Sequence, residues 1–137
     1  MSQRVLYDTN VILDVLLARQ PFLAASAAAL DLAGEGRVDG FVAGHAVTTI
    51  AYIVKREKKR ATVSAALLQL LSKLRVATTT DSSIRLALAM DLDDFEDCVT
   101  VASAQEAGCE LIVTRNVQHF RRALVPAILP EALVAGA

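Results

Sequence analysis

The chain has no tryptophan, and aromatic residues make up only 4% of it. Nothing in it therefore suggests a platform for stacking nucleobases. Cysteine is almost as scarce. Cys98 and Cys109 are the only two, they lack zinc-ligand spacing and they lie in apolar surroundings, so they read as reduced core thiols. No apolar run approaches the roughly 20 residues of a membrane-spanning helix, and the N-terminal stretch carries no basic segment leading into a signal-type apolar core. A cytoplasmic protein without a membrane segment is expected. Charge of one sign is lacking too. A net charge of −1 gives no overall attraction to nucleic acid, so any polyanion site must be a local patch or depend on bound cations. Internal repeats, low-complexity linkers and domain boundaries are absent, which predicts one domain over residues 1–137.

What is present is an aliphatic, alanine-rich chain, 54% hydrophobic and 21% charged, long enough for a sizeable core. Short β-like runs alternate with longer helical ones, which predicts parallel strands joined by crossover helices. Val5–Tyr7 reads as a buried strand and Val11–Leu17 as the helix after it. Leu23–Ala33 reads as a second helix, opened near Pro21 and stopped by Gly34-Glu35-Gly36. Val38–Val42 is a second strand, imperfect at Asp39 and Gly40. Ala43-Gly44-His45 reads as a turn before a helix over 46–58, whose stripe is Val47, Ile50, Ala51 and Val54. A fourth helix is expected over 62–73 and a third strand over 74–79. Thr80 or Asp81 caps a helix running to Met90. Cys98–Ala107 is a helix interior closed by Gly108, Glu110–Val113 a fourth strand, Val125–Leu129 a short last strand, and Pro130 the start of a final short helix.

The chemistry gathers where strands end. Asp8 and Asn10 follow the first strand, and Thr114 and Asn116 follow the fourth. In an open parallel sheet both pairs lie on the edge where ligands bind. Asp8 there can hold a metal or merely cap a helix. Five of the seven residues from Asp91 to Asp97 are acidic. Asp93 with Glu96 has the spacing of a capping box, while Asp94 and Asp97 share a helix face. Asp97 directly precedes a run that should be buried, and an unpaired carboxylate there is costly. The helix N-terminus offers partial relief, and a divalent cation shared with Asp8 offers more. Hard oxygen ligands suit Mg²⁺ or Mn²⁺, which can activate water beside a phosphodiester. Asp14, one turn after Asn10, reads as a partner for a surface cation. His45 and His119 read as turn or packing residues. The basic cluster Lys55–Arg60 reads as a solvated helix end or as a grip on RNA phosphates. Arg115 is the better candidate for phosphate contact, because it follows Thr114.

Leu6-Tyr7-Asp8-Thr9-Asn10-Val11-Ile12-Leu13-Asp14, Asp94-Phe95-Glu96-Asp97, and Ile112-Val113-Thr114-Arg115-Asn116 with His119-Phe120 together resemble a PIN domain, over nearly the whole chain. The resemblance implies a three-layer α/β/α sandwich with a central parallel sheet. It also implies a Mg²⁺- or Mn²⁺-dependent ribonuclease, with many bacterial members being VapC-type toxins, usually homodimeric and paired with an antitoxin protein. By that resemblance Asp8 and Asp97 match the first and third family acids and serve as the metal ligands. Asn116 stands at the fourth acidic place, Asp94 is a further acid of the site, and Asn10 and Thr114 are supporting polar groups. The sequence departs from the pattern at the second acid. Thr49 occupies that place, Glu57 is too far along the helix to substitute, and a two-metal site is not expected.

Two other functions compete. A PIN-fold binding or scaffold module that has lost catalysis is motivated by the hydroxyl at Thr49. A phosphohydrolase with Asp8 as nucleophile is disfavoured, because that chemistry wants a second acid where Asn10 stands.

Overall fold

Strand β1 (Arg4–Tyr7) is the middle of a five-stranded, wholly parallel sheet, and its Val5, Leu6 and Tyr7 are completely buried. The computed structural model describes residues 2–137, the side chains of Arg60 and Ala61 excepted. Strand order is β3-β2-β1-β4-β5, with β2 at Asp39–Ala43, β3 at Arg75–Ala77, β4 at Leu111–Val113 and β5 at Ala127–Ile128. Leu6 pairs with Phe41 on one side and with Ile112 on the other. Helices α1 (Thr9–Leu16), α2 (Leu23–Gly34), α3 (Gly44–Glu57), α4 (Arg60–Leu71), α5 (Asp81–Leu88), α6 (Phe95–Glu106) and α7 (Pro130–Ala135) surround it. This is the three-layer α/β/α sandwich with a parallel sheet. The chain builds outward from β1 through β2 to β3, then returns to lay β4 on the other side of β1. The ends of β1 and β4 therefore flank the point where the winding reverses, which is where such sheets open a crevice.

Several sequence expectations are sharpened. Gly40 does not weaken β2; it is required there. A Cβ at that position would lie 2.5 Å from Leu74 Cδ2 and 2.7 Å from Ala33 Cβ, so only glycine lets α2 and the chain before β3 close over the strand. Ala43-Gly44-His45 is not a turn. Helix α3 begins at Gly44, and the hydroxyl of Thr79 accepts a hydrogen bond from the His45 amide at 3.2 Å. That cap comes from the far side of β3, which no local pattern reveals. At α6 the cap is Asp94 rather than Asp93. Its Oδ1 accepts from the Asp97 amide at 3.2 Å, while Asp93 lies on the surface facing Arg122. A one-turn 3-10 helix at Val117–Phe120, with Phe120 buried, has no counterpart in the sequence expectations. Cys98 and Cys109 are buried and free, and burial pushes the Cys109 thiol up to about 11. Among the described residues, no helix is long and apolar enough to cross a membrane. Lys55–Lys59 are exposed, and the Arg60 side chain of that cluster lies outside the described residues.

Candidate active site

Asp8 leaves β1 with its amide donating to the Val113 carbonyl at 2.9 Å, so the pairing with β4 runs one residue past the strands. Its backbone is extended, and it caps α1 by accepting from the Thr9 amide at Oδ1, 2.9 Å away. The capping reading is thus met with one oxygen. The other oxygen accepts from the Thr114 hydroxyl at 2.8 Å and from the Asn10 amide group at 3.3 Å. Asn10 also reaches Thr114 Oγ1 at 3.3 Å, and its carbonyl accepts from the Arg115 amide at 3.2 Å. The Thr114 hydroxyl accepts from the Asn116 amide at 3.0 Å. These bonds tie the two strand ends into one network. A carboxylate offers about four lone-pair sites, and three are engaged here, which leaves one for an external group.

Asp97 is the third residue of α6. Its pKa is pushed up to about 6, first by burial, then by the charges of Asp94, Asp8 and Glu96, with His119 pulling the other way. Asp8 is raised as well, by burial, against the hydrogen bonds of Thr114 and Thr9 and the nearby His45 and His119. The two carboxylates therefore share one electrostatic neighbourhood, although they lie 89 residues apart in the chain. His119 Nδ1 stands 3.5 Å from Asp97 Oδ2.

The remaining candidates divide. Asp94 is an exposed cap beside Asp97 and adds to its field. Asn116 joins through its backbone amide; its exposed side chain makes no cap bond at the start of the 3-10 helix. Thr49 lies half-buried on α3. Arg115, expected over the cleft as a phosphate contact, turns inward instead. It binds Asp14 through two nitrogens, at 2.7 Å and 3.2 Å, and stacks over Phe22 at 3.9 Å. Asp14 is no surface partner: it is fully buried and also accepts from Ser26 at 2.9 Å. That pair fastens the end of β4 to α1. The sequence expects both histidines to be turn or packing residues, and the structure puts both within the field of Asp8. They are the only two in the chain, and both stand beside the carboxylates. Had His45 been placed on a helix rather than in a turn, its position four residues before Thr49, on the same face, would have drawn attention to it.

Among the described residues, no group of three or more His, Cys, Asp or Glu stands ready to hold a metal ion. The donor set is two carboxylates that burial makes harder to ionise, with the charge of Asp8 raising Asp97 further. It fits one hard cation that keeps most of its water, and it does not fit an all-protein cage.

Parallel strands in this order, with paired carboxylates over the ends of β1 and the start of α6, define an α/β/α protein with an acidic site at its sheet's carboxyl edge. The chain belongs to the PIN domain family, whose model matches residues 4–118. No curated protein matches it by sequence. Among solved structures it is similar to VapBC2 from Rickettsia felis bound to a DNA fragment from their promoter, with a TM-score of 0.70 and 14% identity over 93% of this chain and 98% of that one. It is also similar to VapC20 of Mycobacterium tuberculosis, a sarcin-ricin loop cleaving toxin, with a TM-score of 0.61 and 14% identity over 79% of this chain and 86% of that one. At such identity the likeness is one of fold.

Proposed function

We propose that this protein is a metal-dependent endoribonuclease that hydrolyses RNA phosphodiester bonds, and that it is the toxin of a toxin–antitoxin pair. The observation that carries this reading is the convergence of Asp8 and Asp97. One is fixed by Thr114 and Asn10 across two strand ends, and the other is pushed up to about 6 within the first one's field. A scaffold has no use for two half-buried carboxylates that repel each other, whereas a nuclease does. Asp8 and Asp97 would hold one Mg²⁺ or Mn²⁺, which when bound neutralises phosphate charge and lowers the pKa of a water. Asn10 and Thr114 orient Asp8. Asp94 supplies negative field at the rim, Asn116 faces solvent beside the cleft, and Arg115 holds the edge in place through Asp14. By the family resemblance, Thr49 takes the place of a further acid. The family and the VapBC neighbour support an antitoxin partner. Exposed Tyr52 and Leu68 on α3 and α4 support a homodimer, which light scattering tests.

Purified protein should cleave RNA with Mg²⁺ or Mn²⁺ and stop when a chelator is added. Asp8→Asn and Asp97→Asn should each lower the rate on the order of 10³-fold, since even partners outside a metal's immediate shell are worth about 10–100-fold. Equal trace cleavage by wild type and both variants overturns the nuclease reading. The scaffold alternative, motivated by Thr49, predicts no heat of Mn²⁺ binding at millimolar metal.

A further inference from the structure

Of the basic side chains around the candidate site, Arg115, Arg122 and His119 are already engaged. Arg115 is committed to the buried Asp14 at 2.7 Å. Arg122 faces Asp91 and Asp93 at 3.2 Å and 3.4 Å. His119 Nδ1 lies 3.5 Å from Asp97 Oδ2. Arg121 differs from them. It is exposed, and among the described residues no carboxylate pairs with it. Its place is set by the 3-10 turn before it. Phe120 is buried and pins that turn to the core, and the Arg121 amide donates to the Gln118 carbonyl at 3.4 Å. Side chains three apart eclipse in such a turn, so Gln118 and Arg121 form one ridge. The ridge lines two openings. One is a cleft of about 320 Å³ that has Asp94 and His119 in its wall, and His119 brings it against Asp97. The other is a groove of about 510 Å³ whose apolar lining includes Val117, Ala123, Leu124 and Pro126. A guanidinium common to both openings is placed for an anion that lies where one passes into the other.

We propose that Arg121 is a substrate-binding residue of this site: it grips a phosphate next to the scissile one, where a single RNA strand passes from the cleft beside Asp97 into the groove along Leu124. The inference rests on the ribonuclease reading. The carboxylates repel such a strand, and a net charge of −1 does nothing to hold it. The strand therefore needs a cation besides the metal, and the planar guanidinium fork matches two phosphate oxygens at once. No bond changes at Arg121; it holds the strand while the reaction takes place at the carboxylates.

The first test needs no cleavage. In chelator at low salt, anisotropy of a labelled single-stranded oligoribonucleotide should show Arg121→Ala binding on the order of tenfold more weakly than wild type, as for loss of a charged hydrogen bond. A phosphate contact also sets the salt dependence, so the slope of log affinity against log salt should become shallower by about 0.7. Arg121→Lys keeps the charge and loses the fork, so it should keep the wild-type slope at an intermediate affinity. Leu124→Glu, at a position 83% exposed, should weaken binding by setting a negative charge along the strand. Arg75→Ala, at the amino end of β3, should change neither affinity nor slope. In cleavage assays Arg121→Ala should raise KM about tenfold and change kcat by less than about twofold, the mark of lost uniform binding. Wild-type affinity and slope in Arg121→Ala overturn the proposal. A fall in kcat at unchanged KM puts Arg121 on the scissile phosphate and overturns it as well. Wild-type binding by Leu124→Glu overturns the course along the groove. If wild type fails to cleave RNA with metal, the ribonuclease reading falls, and the salt slope still decides the phosphate contact. If wild type cleaves and Arg121→Ala matches it in KM, only Arg121 loses its role.

Discussion

The two halves of the site are built by opposite means. At the strand edge, Asp8, Asn10, Thr114 and the Asn116 amide satisfy one another, and the fully buried Asp14 grips Arg115 just behind them. At the start of α6, Asp91, Asp93 and Asp94 lie in solvent, Arg122 makes loose contacts of 3.2 Å and 3.4 Å with the first two, and Asp97 is the one half-buried member. The first half is organised before any ligand arrives. The second holds unrelieved negative charge, which a cation can relieve. Preorganised donors on rigid elements facing a charge-strained partner are what a site needs if binding of the ion is to fix its geometry.

The sharpest way to break this contrast is Arg115→Ala. Removing the guanidinium strands Asp14 as a buried, unpaired carboxylate and bares Phe22. Loss of one partner from such a pair costs about 3–5 kcal/mol. Chemical denaturation should show that loss as a lower midpoint with an unchanged slope. If stability holds and only KM for RNA rises, Arg115 is a phosphate contact and the inward ion pair is not its main role.

Next in size is Thr114→Val. The isostere removes a donor to Asp8 and the acceptor for the Asn116 amide. With Thr114 fully buried, a loss of about 1–3 kcal/mol is expected, and thermal melting measures it. The same variant should raise the apparent pKa of Asp8, because a hydrogen bond that favours its charged form is gone. A melting curve that coincides with wild type's would show the network to be slack and the contrast overstated.

How much of this was legible follows from the same contrast. Periodicity and strand-end polarity led to the parallel sheet, to Asp8 beside Thr114 and to Asp97 at the start of a buried helical run, because those signals are local. The N-terminus of α3 escaped, since its cap is Thr79, 34 residues away. Asp14 escaped because a lone aspartate on an apolar helix gives no sign of which cation will be folded against it. Asp93 and Asp94 were confused because adjacent acids satisfy the same capping pattern one residue apart. The surroundings of His45 were hidden for a related reason: its neighbours Thr100 and Glu96 reach it only through the fold.

Asp97→Asn probes the strained half and should stabilise the metal-free protein. With its pKa raised to about 6 from the ordinary 3.8, this carboxyl favours the folded state fully only below about pH 3.8, where it is protonated in both states. That contribution is lost as pH rises through about 6, since the unfolded chain ionises more easily. At pH 7 in chelator the asparagine variant should therefore be more stable by about 1–2 kcal/mol, after discounting the shift for partial exposure. The gap should close toward pH 4. Added Mn²⁺ should stabilise wild type and not the variant. A variant that melts below wild type at pH 7 without metal would mean that Asp97 carries no strain.

The smallest effect is expected at Arg122→Ala, and its smallness is the point. Arg122 faces Asp91 and Asp93, both almost fully exposed, at distances no shorter than 3.2 Å. Such pairs contribute about 0–1 kcal/mol and are screened by salt. The variant should melt within a degree or two of wild type, and 0.5 M salt should erase any difference. It also removes a positive charge close to Asp94, His119 and Arg121, which line the same cleft of about 320 Å³. If the acidic side of the site matters through its field, Mn²⁺ should then bind slightly more tightly and RNA slightly less, with stability unmoved. Opposite small shifts in the two ligands would set the α6 half apart as electrostatic. A drop in stability comparable to that of Thr114→Val would instead make both halves structural and remove the distinction between them.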